Sequence, residues 1–251
     1  VTGPGNRTHL ATSNPSLVMV VTDDGSRTLK CLQTGLTWHS ESGALAESRL
    51  VFLRNSGMEE KFARREPARV LELGFGTGLN FWITASLALR NKANLEYVSL
   101  EPNLLEGAII QDLEHAKLAD CQPAFDRFFP VISNQTDSAA LKLTVADGEV
   151  DLTLCRQEFA QIVFAGMKPF DVIYHDPFGP ETAPDLWTES TFQSLFRLLK
   201  PGGRLVTYCV KSAVQRNANF AGFLVRKTRG PVGGKREVLI AVRQAKNRGR
   251  V

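Results

Sequence analysis

From residue 67 onward the chain alternates short, nearly continuous apolar runs with longer segments whose apolar residues recur every third or fourth position. Runs of the first kind suit strands buried on both faces, and segments of the second kind suit the helices that cover them. On this reading Arg69–Leu73, Leu95–Leu100, Val150–Cys155, Phe170–Tyr174, Arg204–Cys209, Phe223–Lys227 and Glu237–Val242 are strands. Leu79–Arg90, Asn103–Asp120, Thr188–Leu199 and Ala213–Ala221 are helices, the third stopped by Pro201-Gly202-Gly203. The last two strands are joined only by Arg229-Gly230-Pro231-Val232-Gly233-Gly234, too short for a crossover helix, so they pair antiparallel. The expected fold class is therefore α/β, a doubly wound sheet of seven strands with the last antiparallel.

Residues 1–16 are polar and carry Gly3, Pro4, Gly5 and Pro15, the signature of a flexible arm. Leu17–Thr22 and Arg27–Leu32 flank Asp23-Asp24-Gly25-Ser26, a hairpin signal, and Leu45–Leu53 opens a helix. The expected organisation is an arm (1–16), a small β-rich appendage (17–66), an α/β domain (67–245) and a basic tail (246–251). Cys121–Ala146 reads as a turn-rich excursion.

Composition narrows the function. With 251 residues and 43% hydrophobic content the chain has enough apolar mass for one large domain. No apolar run approaches the roughly 20 residues of a membrane span, and no basic-then-apolar leader opens the sequence. Cys31, Cys121, Cys155 and Cys209 stand far apart, as do His9, His39, His115 and His175. That spacing points away from disulfides and metal sites and toward a reducing cytoplasm. The formal charge of +4 hides an asymmetry: from Lys200 on there are 13 Lys/Arg and one acid, Glu237. A concentrated positive surface suits a phosphate-rich partner.

Two motifs carry chemistry. Glu72-Leu73-Gly74-Phe75-Gly76-Thr77-Gly78 lies between a predicted strand and helix, where glycines bring backbone N–H groups close to a ligand. An acid before the first glycine disfavours a pyrophosphate and suits the cationic methionine end of S-adenosylmethionine (SAM). A dinucleotide site and a purely structural turn are the alternatives. Glu101, ending the second strand, can accept from both ribose hydroxyls, a geometry that SAM and dinucleotide sites share.

The second motif, Tyr174-His175-Asp176-Pro177-Phe178-Gly179-Pro180, falls at the carboxyl end of a central strand, where open α/β sheets bind ligands. Asp176 can hold the hydrogens of an attacking amine and stabilise the cation that forms, and Phe178 can stack on a base.

The strand pattern resembles the class I fold of SAM-dependent methyltransferases, and Asp176-Pro177-Phe178 resembles the motif of those that modify amino groups. Glu72 to Phe81, Asp176 to Pro180, Pro184-Asp185-Leu186-Trp187-Thr188, Gly234-Lys235-Arg236-Glu237 and Glu47 to Leu53 are together similar to the methyltransferase domain of the MnmC family. This resemblance implies methyl transfer from SAM to 5-aminomethyl-2-thiouridine at the tRNA wobble position, giving 5-methylaminomethyl-2-thiouridine. The family's two-domain members add a flavin oxidoreductase; this chain is expected to be a stand-alone form without flavin or metal, with a separate enzyme supplying the aminomethyl intermediate. Glu72, Gly74, Phe75, Gly76, Thr77, Gly78, Asn80, Glu101 and Asp176 would then bind SAM. Asp176 and Phe178 would serve the acceptor, while Arg216, Lys235 and Arg236 would meet tRNA phosphates. Where the family has Gly-Asp after the third strand this chain has Cys155-Arg156-Gln157-Glu158, so Glu158 or Gln157 becomes the candidate for the adenine, with Asp147-Gly148 as a further alternative. Rival readings are N-methyl or aminopropyl transfer to a small-molecule amine, and a non-catalytic RNA-binding protein on a methyltransferase scaffold.

Overall fold

The computed structural model describes residues 7–121, 150–162 and 166–245, together with Asp126 and Phe129. Most of the excursion expected after Cys121, and the tail from Lys246, lie outside these residues.

The chain opens with β1 (His9–Ala11), β2 (Leu17–Val21) and β3 (Arg27–Cys31), an antiparallel sheet in that order. The expected hairpin is β2–β3. The strand at His9–Ala11 corrects the reading of residues 1–16 as an arm, because its backbone pairs with Val18–Val20 of β2. Next come α1 (Ala44–Ser48), a π-helical stretch (Arg49–Arg54) and α2 (Met58–Ala63). Val51, Phe52 and Leu53 are buried there, so the widened turn is anchored from inside the core.

The α/β unit then runs β4 (Ala68–Leu73), α3 (Leu79–Asn91), β5 (Leu95–Leu100), α4 (Gly107–Asp112), α5 (His115–Leu118) and β6 (Val150–Cys155). It continues with β7 (Phe170–His175), α6 (Glu189–Leu198), β8 (Leu199–Thr207), α7 (Ser212–Phe220), β9 (Leu224–Arg229) and β10 (Glu237–Val242). Thr188 starts α6 by accepting the Thr191 N–H on its hydroxyl at 3.3 Å, an N-cap that satisfies one orphan donor. Sheet order is β6-β5-β4-β7-β8-β10-β9. The last strand slots between β8 and β9, antiparallel to both, as the short glycine turn requires.

Two expectations change in detail. Asn103–Asp120 is two short helices, since Glu114 takes a left-handed φ of 55° between them. Pro201-Gly202-Gly203 lies within β8 across a β-bulge: Gly202 N–H donates to Arg243 O (2.6 Å) and Arg243 N–H to Gly203 O (3.0 Å).

Side chains from the sheet bury on both faces. One layer holds Phe52, Phe62, Phe81, Trp82 and Tyr97; the other holds Leu71, Phe170, Trp187, Phe192 and Leu195. The appendage packs on the first layer through Met19, Leu29 and Phe52. His115 adds a polar tie, its Nε2 2.8 Å from Arg27 O and its Nδ1 3.4 Å from Thr77 O. Burial pushes that imidazole down to about 4, so it is neutral at pH 7. No helix among the described residues is long and apolar enough to cross a membrane.

Candidate active site

The strand order reverses between β4 and β7, which lie side by side in the centre of the sheet. A crevice opens outside the carboxyl ends of strands at such a point. The glycine loop leaves β4 there and Asp176 leaves β7.

The two loops are pressed together. Asp176 N–H donates to Leu73 O at 3.0 Å, and Gly74 N–H donates to Leu100 O at 2.9 Å on the other side. Gly74 has φ of 88°, and a Cβ there would lie 2.7 Å from the Asp176 carbonyl oxygen. Gly76, with φ of 51°, would bring a Cβ to 3.0 Å from the Trp38 ring. Both positions need glycine for conformation and for space. Gly76 N–H donates to one Glu101 oxygen (3.1 Å) and Asn103 N–H to the other (3.0 Å), so Glu101 braces the loop at the end of β5. Burial raises the Glu101 carboxyl above its ordinary range.

Beneath the loop is a buried polar network. Glu72 has no exposed surface and stands opposite Ser99 and Tyr174 in the neighbouring strands. It accepts from Ser99 Oγ at 2.8 Å and from Asn80 Nδ2 at 3.1 Å. The same Asn80 amide donates to Asp176 Oδ2 at 2.8 Å. Desolvation pushes Glu72 up to about 7, against the Ser99 and Asn80 hydrogen bonds. Asp176 is also raised, by burial first and then by the nearby Glu72 and Glu47 carboxylates. Asn80 Oδ1 and Thr77 Oγ1 are buried without a hydrogen-bond partner. Two acids held ready for charge, with unsatisfied polar atoms at a glycine cradle, fit a cationic polar ligand.

Phe178 forms one wall and meets Trp38 of the appendage edge-on, ring centroids 5.3 Å apart. Tyr208, just past β8, donates its hydroxyl to Pro177 O at 2.8 Å, and Trp187 Nε1 donates to Phe178 O at 2.8 Å. Trp187 is otherwise core, packed against His175 and Tyr208. Glu47 of α1 is buried, accepts Ser40 N–H at 2.8 Å, and faces Lys235 Nζ at 3.4 Å.

The structure brings Glu72, Gly76, Asn80, Glu101 and Asp176 together at the carboxyl ends of β4, β5 and β7, with Phe178 beside them, while Phe75 is buried against Phe81. Glu158 is exposed beyond β6, close enough to Glu101 to raise it. Arg216 and Arg236 are exposed on α7 and the β9–β10 turn. Lys235, read as a phosphate contact, has its ammonium 3.4 Å from Glu47 Oε1 and 3.7 Å from the centroid of the Tyr208 ring. Trp38 and Glu47 were not singled out by the sequence as site residues, because nothing local marks a residue that reaches a site from another layer. Glu47 did lie in the segment similar to the family, and that was the available signal.

The sheet order, with its antiparallel strand inserted next to the edge, is that of the class I SAM-dependent methyltransferase fold. A family model described as S-adenosyl-L-methionine-dependent methyltransferase matches residues 124–244. The chain is 33% identical over 212 residues to the tRNA 5-methylaminomethyl-2-thiouridine biosynthesis bifunctional protein MnmC of Cupriavidus metallidurans, covering 81% of this chain and 31% of the relative. It is 32% identical to the protein of that name from Thiobacillus denitrificans, covering 82% and 34%. The crystal structure of MnmC2 from Aquifex aeolicus superposes with a TM-score of 0.71 at 24% identity, over 90% of this chain and 70% of that one. This chain is thus similar to part of the MnmC proteins, and it spans about a third of the length of the curated relatives it matches.

Proposed function

We propose that this enzyme transfers a methyl group from SAM to the exocyclic amine of 5-aminomethyl-2-thiouridine at the tRNA wobble position, giving 5-methylaminomethyl-2-thiouridine. The observation that carries the reading is the Asn80 amide, which joins Glu72 on the donor side to Asp176 on the acceptor side. One side chain thereby registers two sites against each other, which in-line transfer requires. The names of the relatives and the basic C-terminal fifth support tRNA as the acceptor's carrier. A separate activity would supply the aminomethyl group.

SAM supplies a methyl already activated on a sulfonium, so no covalent enzyme intermediate is required. Glu72 and the Gly74–Gly78 loop hold its methionine end, and Glu101 receives the ribose hydroxyls while still bracing Gly76. Asp176 accepts hydrogen bonds from the amine and aims its lone pair. As the nitrogen–carbon bond forms, the carbon–sulfur bond breaks and the neutral thioether departs. Asp176 stabilises the cation developing on nitrogen, and its raised affinity for protons suits it to take the one released. Phe178 and Trp38 flank the base.

The test is transfer from labelled SAM to tRNA bearing 5-aminomethyl-2-thiouridine, with the labelled nucleoside identified after digestion. Label in 5-methylaminomethyl-2-thiouridine supports the reading. Protein that binds SAM and leaves this tRNA unlabelled overturns it, and transfer to free amines would then favour a small-molecule substrate.

A further inference from the structure

Lys235, its side chain about half exposed, brings its ammonium to Glu47 and Tyr208 beside the Asp176 loop. The turn carrying it is tightly made: Gly230 N–H donates to Arg236 O at 2.8 Å and Gly234 N–H to Pro231 O at 3.2 Å. It rests on the loop before α1, where Cβ atoms built at Gly233 and Gly234 would lie 3.8 Å from Ser42 Cβ and 3.7 Å from Ser40 Oγ. Ser40 N–H is bonded in turn to Glu47. The lysine is thus delivered to a fixed place.

At that place its ammonium sits 3.7 Å from the centroid of the Tyr208 ring and 3.4 Å from Glu47 Oε1. A carboxylate set against an aromatic face is the recognition chemistry of an alkylammonium. Tyr208 is held by its bond to Pro177 O, one residue from Asp176. Glu47 and Lys235 both act on the charge of Asp176 in opposite senses. Glu47 is a buried carboxylate whose ion-pair partner among the described residues is Lys235, and such a group needs a positive partner.

We propose that Glu47 and the Tyr208 ring form the subsite for the substrate's primary ammonium, and that Lys235 occupies it as a tethered stand-in until the substrate displaces it. This rests on the reading of an aminomethyl acceptor given above. Bound there, the acceptor nitrogen lies beside Asp176 and needs only to lose a proton to become the nucleophile. Displacement also selects against acceptors with no cation, since these would leave Lys235 in place and the nitrogen position filled.

The experiment uses the full chain and two substitutions that keep side-chain size. Lys235→Met frees the subsite, and Glu47→Gln removes its charge while keeping an acceptor for Ser40. SAM binding by calorimetry certifies that each variant is folded. The first readout is n-propylammonium binding by calorimetry to the SAM-loaded protein, which needs no tRNA. Lys235→Met should bind it at least about tenfold tighter than wild type, and the double variant should lose that gain. The second readout is steady-state methylation of the aminomethyl tRNA. Glu47→Gln should raise KM by roughly tenfold or more with a smaller effect on kcat. Equal n-propylammonium affinity in wild type and Lys235→Met, or an unchanged KM in Glu47→Gln, overturns the subsite. A wild type inactive on the tRNA overturns the proposed acceptor instead, and the n-propylammonium result still decides the subsite.

Discussion

The carbonyl oxygen of Asp176 stands where a side chain at Gly74 would go, 2.7 Å from a Cβ built there. The loop that would hold the donor and the loop that would hold the acceptor are therefore in backbone contact, and neither can move alone.

Gly74→Ala should for this reason cost stability as well as donor binding. The left-handed φ and the contact together are worth roughly 1–3 kcal/mol. Thermal unfolding and SAM calorimetry check this; unchanged values for both would show that the two loops part easily.

Asp176→Ala should leave SAM binding within a few-fold of wild type and lower kcat by about 100-fold or more, the usual scale for losing a group aimed at developing charge. Single-turnover methylation at saturating SAM separates the chemical step from product release.

The pH dependence of donor binding follows from Glu72. It titrates near 7 in the folded chain, against an ordinary value of 4.5. A cationic ligand favours its charged form, so below pH 7 SAM must expel a proton. Affinity should weaken with falling pH, by up to about tenfold per unit. Calorimetry in two buffers of different ionisation enthalpy should show this proton, and Glu72→Gln should abolish its release.

The same group affects stability with a definite sign. Between about pH 4.5 and 7 the folded chain keeps a proton on Glu72 that the unfolded chain has released. Rising pH through this window therefore destabilises the ligand-free protein, by on the order of 3 kcal/mol from this residue. His39, His115 and His175, pushed down to about 3, 4 and 4, act oppositely below pH 6.5. Comparing melting temperatures of wild type and Glu72→Gln across pH 5–8 cancels the histidines. Equal pH profiles would show that Glu72 is ionised in the free enzyme.

Binding of tRNA should weaken steeply with salt. Arg216→Ala and Arg236→Ala should each reduce the slope of log K against log salt by about 0.9 if each contacts one phosphate. Unaltered slopes would move the RNA surface elsewhere.

The α/β frame was legible because its strands lie between two apolar layers: Leu95–Leu100, Val150–Cys155 and Glu237–Val242 end where their apolar runs end. The glycine loop was legible because a strand–turn–helix context and an acid at Glu72 are local features. The break at Glu114 was not, since leucine spacing continues across it and only the backbone shows the left-handed turn. The pairing of Lys235 with Glu47 was not legible, because charge counted along a sequence says nothing about which way a side chain points. Trp38 and Glu47 lie more than 100 residues from Asp176, and only the packed layers bring them together.

That last fact divides the molecule in an unexpected way. Trp38 and Glu47 sit in a segment that precedes even the first strand of the large sheet. Substitutions at Glu47 would alter the surroundings of Asp176 without touching the glycine loop, whereas Trp38 borders Gly76 as well. An enzyme built like this can change its client without relearning its chemistry, and sequence drift before residue 67 is the place to look for enzymes that have done so.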